Sequence, residues 1–297
     1  MNVKQSLAKS SGAFGKPRLL IVGCGDVGMR LLPLLRQRFR VFALTSQPTR
    51  CAELRAAGAA PVLADLDRPE TLARLATLAR RIVHLAPPQS EGEIDQRTRN
   101  LAAILPERAA LVYVSTSGVY GDCQGAWVDE TRTLAPRSAR AVRRVDAERV
   151  LRAWARRSSS RLAILRVPGI YDGSERLPLE RLRKGTPALL AEQDVYTNHI
   201  HADDLARLIV VALQRGLPCR AYNASDDSSM KMGEYFDLVA DALQLPRPPR
   251  LPAEELQRQV SPMLWSFMSE SRRLSNARIK AELGVRLRYP RVIDVLR

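Results

Sequence analysis

Three glycines near the start of the chain have a spacing that binds phosphate. Gly23, Gly25 and Gly28 form G-x-G-x-x-G between an apolar run and an amphipathic pattern that extends to Leu35. In that context the first glycine permits a tight turn, the second lets backbone approach a pyrophosphate, and the third lets helix pack on strand. The N–H groups at the helix start then face the diphosphate. We therefore predict dinucleotide binding, with a ligand-free glycine-rich turn as the alternative, by the six residues Gly23, Cys24, Gly25, Asp26, Val27 and Gly28.

The segment after the second apolar run bears on which dinucleotide is bound. An NAD site usually ends this strand with an acid that accepts the ribose hydroxyls, whereas residues 43–50 read ALTSQPTR. Thr45, Ser46 and Arg50 are suited to hold a 2′-phosphate instead. The sequence favours NADP and leaves NAD open, because Arg50 is equally compatible with a solvated helix position.

An acid and a leucine follow the third apolar run. Asp65 is placed to accept the adenine amino group, and Leu66 to cover the adenine ring. Alternatively, Asp65 caps a helix that begins near Pro69. The residues alone do not separate these two interpretations.

Six short runs predict the elements that position these residues. They are almost continuously apolar, which is typical of strands buried on both faces of a parallel sheet. We predict an α/β fold with a doubly wound parallel sheet, that is, a Rossmann domain at residues 18–167. Proline-punctuated segments after it predict a smaller substrate lobe at 168–297, some of which returns to the core, and residues 1–17 read as a flexible tail. The runs are 18–23, 40–45, 61–65, 81–86, 109–116 and 161–167.

Composition restricts the class of protein. The 297 residues carry a formal charge of +16, but the arginines are scattered, and no aromatic interleaving or zinc-finger spacing accompanies them, so nucleic-acid binding is not favoured. No apolar run approaches the roughly 18 residues of a membrane helix. The four cysteines form no C-x-x-C, which fits a reducing cytoplasm.

Several further segments, in their order along the chain, resemble one family. The chain is similar to the extended short-chain dehydrogenases/reductases, the branch of sugar-nucleotide epimerases and dehydratases, and within it to atypical bacterial NAD(P)-dependent epimerase-like proteins. The resemblance implies an oxidoreductase or epimerase acting on a small anionic or sugar-like substrate, and pairing of two copies through helices of the sheet layer. The segments are VYVSTSGVYG (112–121), VDET (128–131), LRVPGIY (165–171), HIHADDLA (199–206) and SNARIKAELG (275–284).

The resemblance also extends the expected site. It implies substrate contacts at Tyr171, Arg166 and His199. Further cofactor contacts are implied at six residues that follow the fourth and sixth strands, namely Leu85, Ala86, Pro87, Pro168, Gly169 and Ile170.

The family's Y-x-x-x-K pair is replaced in this chain. Aligning its motif on residues 135–150 puts the tyrosine on Arg140 and the lysine on Arg144, with the motif's glutamate at Glu148. Arg140 remains protonated near neutral pH and cannot act as a base, although it can bind an anion or stabilise an oxyanion. Arg144 retains a charge and N–H donors for the nicotinamide ribose. Two solvated arginines on one helix face are the alternative.

A proton carrier must then come from elsewhere. Thr116 matches the family's serine or threonine and either binds substrate oxygen or satisfies backbone at the strand end. Tyr120, Tyr171, His199 and His201 are the remaining candidates, and no metal is expected because the two histidines have no third ligand. The sequence favours an NADP-dependent enzyme with a non-standard site over an inactive NADP-binding sensor or scaffold.

Overall fold

The computed structural model describes residues 15–296, so most of the expected tail, residues 1–14, lies outside the described residues. The strands are β1 (Arg18–Val22), β2 (Arg40–Thr45), β3 (Ala60–Leu63), β4 (Arg81–His84), β5 (Ala110–Thr116), β6 (Trp127–Val128), β7 (Arg161–Val167), β8 (Gly169–Tyr171), β9 (Ala188–Leu189), β10 (Tyr196–Thr197), β11 (His199–His201), β12 (Arg220–Asn223), β13 (Met230–Lys231), β14 (Arg250–Leu251) and β15 (Arg273–Leu274). The α-helices are α1 (Asp26–Leu35), α2 (Cys51–Ala56), α3 (Gln96–Ile104), α4 (Ala139–Arg157), α5 (Leu179–Arg183), α6 (Ala202–Arg215), α7 (Met232–Ala242), α8 (Ala253–Gln259), α9 (Pro262–Met268) and α10 (Ala277–Leu283). Within residues 15–296, no helix has both the length and the apolar character that crossing a bilayer requires.

A seven-stranded parallel sheet forms the centre of the molecule and confirms the predicted fold class. Its order is β12-β7-β5-β4-β1-β2-β3. All six predicted runs are strands of this sheet. Five of them bury apolar side chains against layers on both faces, whereas β3, at the edge, is only partly buried. The seventh strand, β12, was not predicted and extends the sheet beyond β7.

Two helical layers cover the sheet. The apolar faces of α1, α2, α6 and α10 share one core cluster with the strands. The other face packs against α3, α4 and the short 3₁₀ turns before β4. Side chains such as Leu31 and Leu208 on the first face and Trp154 on the second are fully or almost fully buried. This arrangement leaves the ends of the strands as the places where loops and ligands meet.

A separate apolar core lies in the C-terminal part of the chain. It is formed by side chains from α5, α7, α8 and α9, together with Tyr171 and Val292. Both α6 and β12 belong instead to the main core, so the chain returns to the Rossmann layers after β11.

The amino-terminal edge of the sheet is lined with arginine. Five of its seven strands begin at one, and these residues, which we call the edge arginines, are Arg18, Arg40, Arg81, Arg161 and Arg220. Arg18 lies opposite Arg40 in the register. Arg220 pairs with Glu282, while the other four are exposed and have no ion pair within residues 15–296.

Candidate active site

Residues 23–28, the glycine loop, connect β1 to α1 as the sequence predicts. Gly23 has φ +86°, and a Cβ on it would lie 2.5 Å from the backbone N of Ala86. A Cβ on Gly28 would lie 3.0 Å from Sγ of Cys24, so larger residues there would separate helix and strand. Gly25, in contrast, faces open space, with no atom within 4 Å of the position that a Cβ would take. Gly25 has no side chain to cover the first turn of α1, so the amides of this turn form an open cradle, and the binding of a diphosphate in it stays a prediction.

Arg50 extends from the start of α2 to the glycine loop. Its Nη1 donates to the carbonyl oxygen of Cys24 at 2.7 Å, and its Nε donates to Glu53 at 3.0 Å. Ser46 is exposed beside it in the chain, whereas Thr45 is buried and accepts a hydrogen bond from the amide of Gln47 at 3.1 Å. Arg50 thus lies at the rim of the loop but is already engaged by the Cys24 carbonyl and by Glu53. Thr45 is engaged in its own turn, and the 2′-phosphate contacts of these residues stay predictions.

Asp65 and Leu66 occupy the turn after β3. The carboxylate of Asp65 accepts from the amide of Asp67 at 2.9 Å, and the 3₁₀ turn that begins at Pro69 follows Arg68. The helix-cap interpretation of Asp65 is therefore wrong, because its carboxylate closes a tighter local turn. Leu66 is buried in the core cluster below the sheet edge. The adenine contacts of both residues stay predictions.

Arg144 faces the interior of the protein. It is only 4% exposed, donates to the hydroxyl of Tyr113 at 2.9 Å and to the carbonyl of Ala86 at 3.3 Å, and lies over the Tyr113 ring. The interpretation of two solvated arginines is therefore wrong for Arg144. Its contact with Ala86 brings it to the loop after β4, where the resemblance places cofactor, and ribose binding by Arg144 stays a prediction.

A buried polar layer under Arg144 has no counterpart among the residues expected from the sequence. His84 contacts the Tyr113 ring at 5.1 Å between centroids, and its Nε2 is 2.9 Å from the hydroxyl of Thr98, which in turn donates to Asp95. Burial, with a smaller contribution from the charge of Arg144, lowers the pKa of His84 to about 3. Burial also raises the pKa of Tyr113 to about 12. His84 is therefore neutral near pH 7 and does not repel the guanidinium above it, and Tyr113 keeps its proton.

Arg140 occupies a different environment from Arg144, although the two are one helical turn apart. Its side chain is exposed in the first turn of α4 and has no hydrogen bond or ion pair within residues 15–296. Although the side chain as a whole is exposed, protein atoms around the guanidinium partly desolvate it, and this, followed by the positive charges of Arg144 and Arg143, lowers its pKa. A guanidinium still remains protonated at neutral pH. Among the described residues, Arg140 is therefore a cation without a partner at the start of the helix.

Thr116 ends β5 at the carboxyl edge of the sheet and is half-buried. Its Oγ1 accepts from the amide of Gly118 at 3.3 Å and caps the following 3₁₀ turn. The hydroxyl thus satisfies backbone at the strand end, and its proton stays available to a second acceptor.

Tyr120 and Arg166 form a buried network instead of facing substrate. Arg166 is 3% exposed, binds Glu148 through Nε and Nη2 at 3.2 and 2.9 Å, and donates to the Tyr120 hydroxyl at 2.9 Å. Tyr120 donates onward to Asn223 at 2.7 Å. The guanidinium of Arg166 is neutralised by Glu148, and its expected substrate contact stays a prediction. The buried hydroxyl of Tyr120 has both a donor and an acceptor partner, which argues against proton transfer.

Glu148 is ionised despite its burial. Burial alone would raise its pKa, yet hydrogen bonds and charge from Arg166 hold the pKa below the ordinary value. Ser115 also donates to this carboxylate at 2.8 Å, and Arg152 pairs with it at 3.0 Å. Glu148 therefore ties α4 to β5 and β7 as a charged group.

Three aromatic side chains on β8 and β11 pack together, those of Tyr171, His199 and His201. Tyr171 contacts the His199 and His201 rings edge-on, at 6.1 and 5.3 Å between centroids, and all three residues are at most 5% exposed. Burial lowers the pKa of His199 to about 4, so it is neutral near pH 7. His201 accepts from the amide of Asp203 and caps α6. The structure thus gives these side chains packing and capping roles and does not bring them to the exposed Arg140.

The backbone after β7 keeps an open surface. Gly169 is exposed, Pro168 and Ile170 are partly exposed, and β8 pairs with β11 through Gly169 and His199. A Cβ on Gly169 would lie 3.2 Å from the His199 ring, so a larger residue would press on it.

The loop after β4 presents a similar surface. The amides of Leu85 and Ala86 both donate to the carbonyl of Val22, while Pro87 is exposed. Cofactor contacts of this loop and of the loop after β7 stay predictions.

A family model supports the assignment that this geometry indicates. Residues 19–225 match the model described as "NAD dependent epimerase/dehydratase family". The chain belongs to this family. No protein of the curated set matches the chain.

Solved structures of family-like fold match almost the whole chain. A functionally unknown conserved protein from Silicibacter pomeroyi is 31% identical, with a TM-score of 0.75 over 95% of this chain and 97% of that chain. The dTDP-glucose 4,6-dehydratase DesIV from Streptomyces venezuelae, a double mutant with NAD and DAU bound, is 22% identical, with a TM-score of 0.74 over 94% of each chain. UDP-glucose 4-epimerase from Thermotoga maritima, solved with UDP-glucose, is 17% identical, with a TM-score of 0.73 over 94% of this chain and 96% of that chain. The last two likenesses show the shared fold alone.

Proposed function

We propose that the protein binds NADP(H) in the glycine loop in preference to NAD(H). The open face of Gly25 and the uncapped first turn of α1 support a diphosphate at this position. Arg50, on the rim of the loop, is the group suited to a 2′-phosphate, and Glu53 competes with that phosphate for it. Tighter binding of NADPH than of NADH in a fluorescence titration supports the preference, and the reverse order contradicts it.

The activity that this site supports best is the redox conversion of an anionic, carbonyl-bearing or sugar-like compound. Bound NADPH would supply the hydride for a reduction, or bound NADP⁺ would accept it in an oxidation. The observation that carries the proposal is the exposed guanidinium of Arg140, unpaired among residues 15–296, where the family has tyrosine. Arg140 would hold the anionic substrate or stabilise negative charge on its reacting oxygen. Thr116 would donate a hydrogen bond to that oxygen, and water would supply the proton that Arg140 cannot exchange.

A sensor or scaffold that binds NADP without turnover is the second candidate. It is favoured by one observation, namely that the hydroxyls of Tyr120 and Tyr171 are buried away from Arg140. An enzyme without a side-chain acid must obtain its proton from solvent, whereas a sensor needs none. The two candidates bind the cofactor in the same site and differ only in whether a substrate is converted beside it.

Turnover measurements separate the candidates. Purified protein is mixed with NADPH or NADP and a panel of sugar nucleotides and anionic carbonyl compounds, and nicotinamide absorbance is followed. We expect turnover that falls about tenfold or more in Arg140→Ala, as for the loss of one charged stabilising group, and that persists in Arg137→Ala, the matched exposed arginine before α4. Cofactor binding with no turnover of any compound supports the sensor, and equal turnover in the two variants contradicts the role of Arg140.

We also propose where the protein is located in the cell and how its copies pair. The four cysteines, Cys24, Cys51, Cys123 and Cys219, are free thiols, which suits the reducing cytoplasm that we propose. Pairing of two copies through helices of the sheet layer, as the resemblance implies, would involve α4, which carries the exposed Arg149 and Arg156. Analytical ultracentrifugation at two salt concentrations tests this pairing.

A further inference from the structure

The loop at residues 172–176, which we call the strap, crosses from the C-terminal lobe to the start of α1. Asp172 anchors it: one carboxylate oxygen accepts the amides of Ser174 and Arg176 at 2.9 and 3.0 Å, and the other accepts from Arg30 of α1 at 2.8 Å. From this anchor the Arg176 side chain extends to the first turn of α1. Its Nε donates to Asp26 at 2.8 Å.

This contact puts a guanidinium at the cradle of the glycine loop. Asp26 is the first residue of α1 and directly follows Gly25, whose open face would meet a diphosphate. Within residues 15–296, the Arg176 guanidinium is hydrogen-bonded only through Nε, so both Nη groups are available. Asp26 is also bound by Arg30, which contacts Asp172 and Asp203 as well, so Asp26 keeps a shared counter-charge if Arg176 turns away.

A bound diphosphate changes the balance of charge at this point. It brings negative charge to the same helix start that Asp26 occupies, and it offers paired oxygens that suit the fork of a guanidinium. Arg176 is only partly exposed and is held at its backbone by Asp172, so little further ordering accompanies the exchange of one anion for another.

We propose that Arg176 is a diphosphate-binding residue of the cofactor site, supplied by the C-terminal lobe, and that it exchanges Asp26 for the diphosphate when the dinucleotide binds. The inference rests on the proposed dinucleotide function. It makes the strap part of the cofactor site and links the lobe to the Rossmann domain through the ligand.

The test measures affinities for two probes that differ in the diphosphate. ADP-ribose contains it, and adenosine 2′-monophosphate does not; both displace NADPH in a fluorescence competition. We expect Arg176→Ala to weaken ADP-ribose about tenfold, as for one charge-assisted phosphate contact, and to leave adenosine 2′-monophosphate unchanged. Arg176→Lys should recover part of the loss, and Arg183→Ala, an exposed arginine of α5, should have no effect.

The Asp26→Asn protein shows whether Arg176 binds the diphosphate directly or only neutralises the charge of Asp26. If Arg176 contacts the diphosphate, its replacement by alanine weakens ADP-ribose in the Asp26→Asn protein as well. Loss of the effect in that background overturns the proposal, as does equal weakening of both probes, which indicates a structural role. Wild-type protein that binds neither NADPH nor ADP-ribose removes the proposed function together with the inference, whereas normal binding unaffected by Arg176→Ala removes the inference alone.

Discussion

The glycine loop and the first turns of α4 line the same carboxyl edge of the sheet, yet they depart from the family pattern to different extents. The loop retains all three glycines, and Gly23 and Gly28 have close neighbours that exclude a side chain. In α4, at the two positions where the resemblance places the working tyrosine and lysine, this chain has an exposed arginine and a buried one. The helix nevertheless keeps its position, because Glu148 is bound by Arg166 of β7.

This difference has a physical reason. A diphosphate is recognised by backbone amides, so the loop depends on conformation, which few residues other than glycine provide. Proton transfer depends on side-chain chemistry, which one substitution removes without moving the backbone. A helix anchored by a buried ion pair several residues away therefore accepts new side chains at its start.

The largest expected effect breaks the anchor of α4. Glu148→Gln leaves the buried Arg166 without its counter-charge, and we expect the free energy of unfolding to fall by about 3 to 5 kcal/mol. Urea denaturation followed by circular dichroism measures it. Glu70→Gln, which removes an exposed pair with Arg68, is the matched control and should leave the midpoint unchanged. A similar small effect of both variants would show that Glu148 does not hold the helix.

The next effect concerns the glycine loop, where one substitution should weaken cofactor binding without lowering the stability of the fold. Gly25→Ala adds a methyl group into open space at negative φ, so we expect normal folding but more than about tenfold weaker binding of NADPH and NADH alike, since the methyl obstructs the diphosphate. Gly23→Ala should lose stability as well, because its Cβ would collide with Ala86. Titration and thermal melting of the two variants provide the comparison, and unchanged affinity in Gly25→Ala would exclude the loop as the diphosphate site.

The smallest effect distinguishes a contact of Arg50 with the 2′-phosphate from a role of Arg50 in supporting the glycine loop. Arg50→Ala should weaken NADPH about tenfold, because a charge-assisted contact to the 2′-phosphate is lost, and should change NADH affinity by less than about twofold. Fluorescence titration of both nucleotides measures the two affinities, with Arg55→Ala, an exposed arginine of α2, as the control. Equal weakening of the two nucleotides would instead assign Arg50 to the loop backbone, through its bond to Cys24.

The sequence predicts those parts of the fold whose signal is local. Continuous apolar runs indicate six of the seven strands of the central sheet, since burial on both faces favours a run without polar positions. The four residues of β12, RAYN, contain an arginine and an asparagine and lack such a run. Its place in the sheet depends on pairing with β7, which only the tertiary structure reveals.

Local sequence patterns predict the environment of only some of the site residues. Arg166 lies in a strand that is buried from its second residue onward, so an arginine there requires a buried counter-charge. That requirement was the available signal for Glu148, which the family motif also contains. The separation of Arg140 from Arg144 had no such signal, because one helical turn of spacing does not say how deeply each side chain lies.

The edge arginines have a consequence for handling the protein. Four exposed guanidinium groups have no ion pair in the described part of the chain. Arg18, Arg40 and Arg81 begin adjacent parallel strands about 5 Å apart, Arg161 begins a strand two positions from that of Arg81, and their repulsion is strongest in dilute buffer. Multivalent anions such as phosphate or sulfate would gather there and relieve that repulsion. The melting temperature of the protein should accordingly be higher in phosphate than in a zwitterionic buffer of equal pH. A rise in melting temperature on anion addition would therefore reflect anions at this distant edge as well as at the glycine loop.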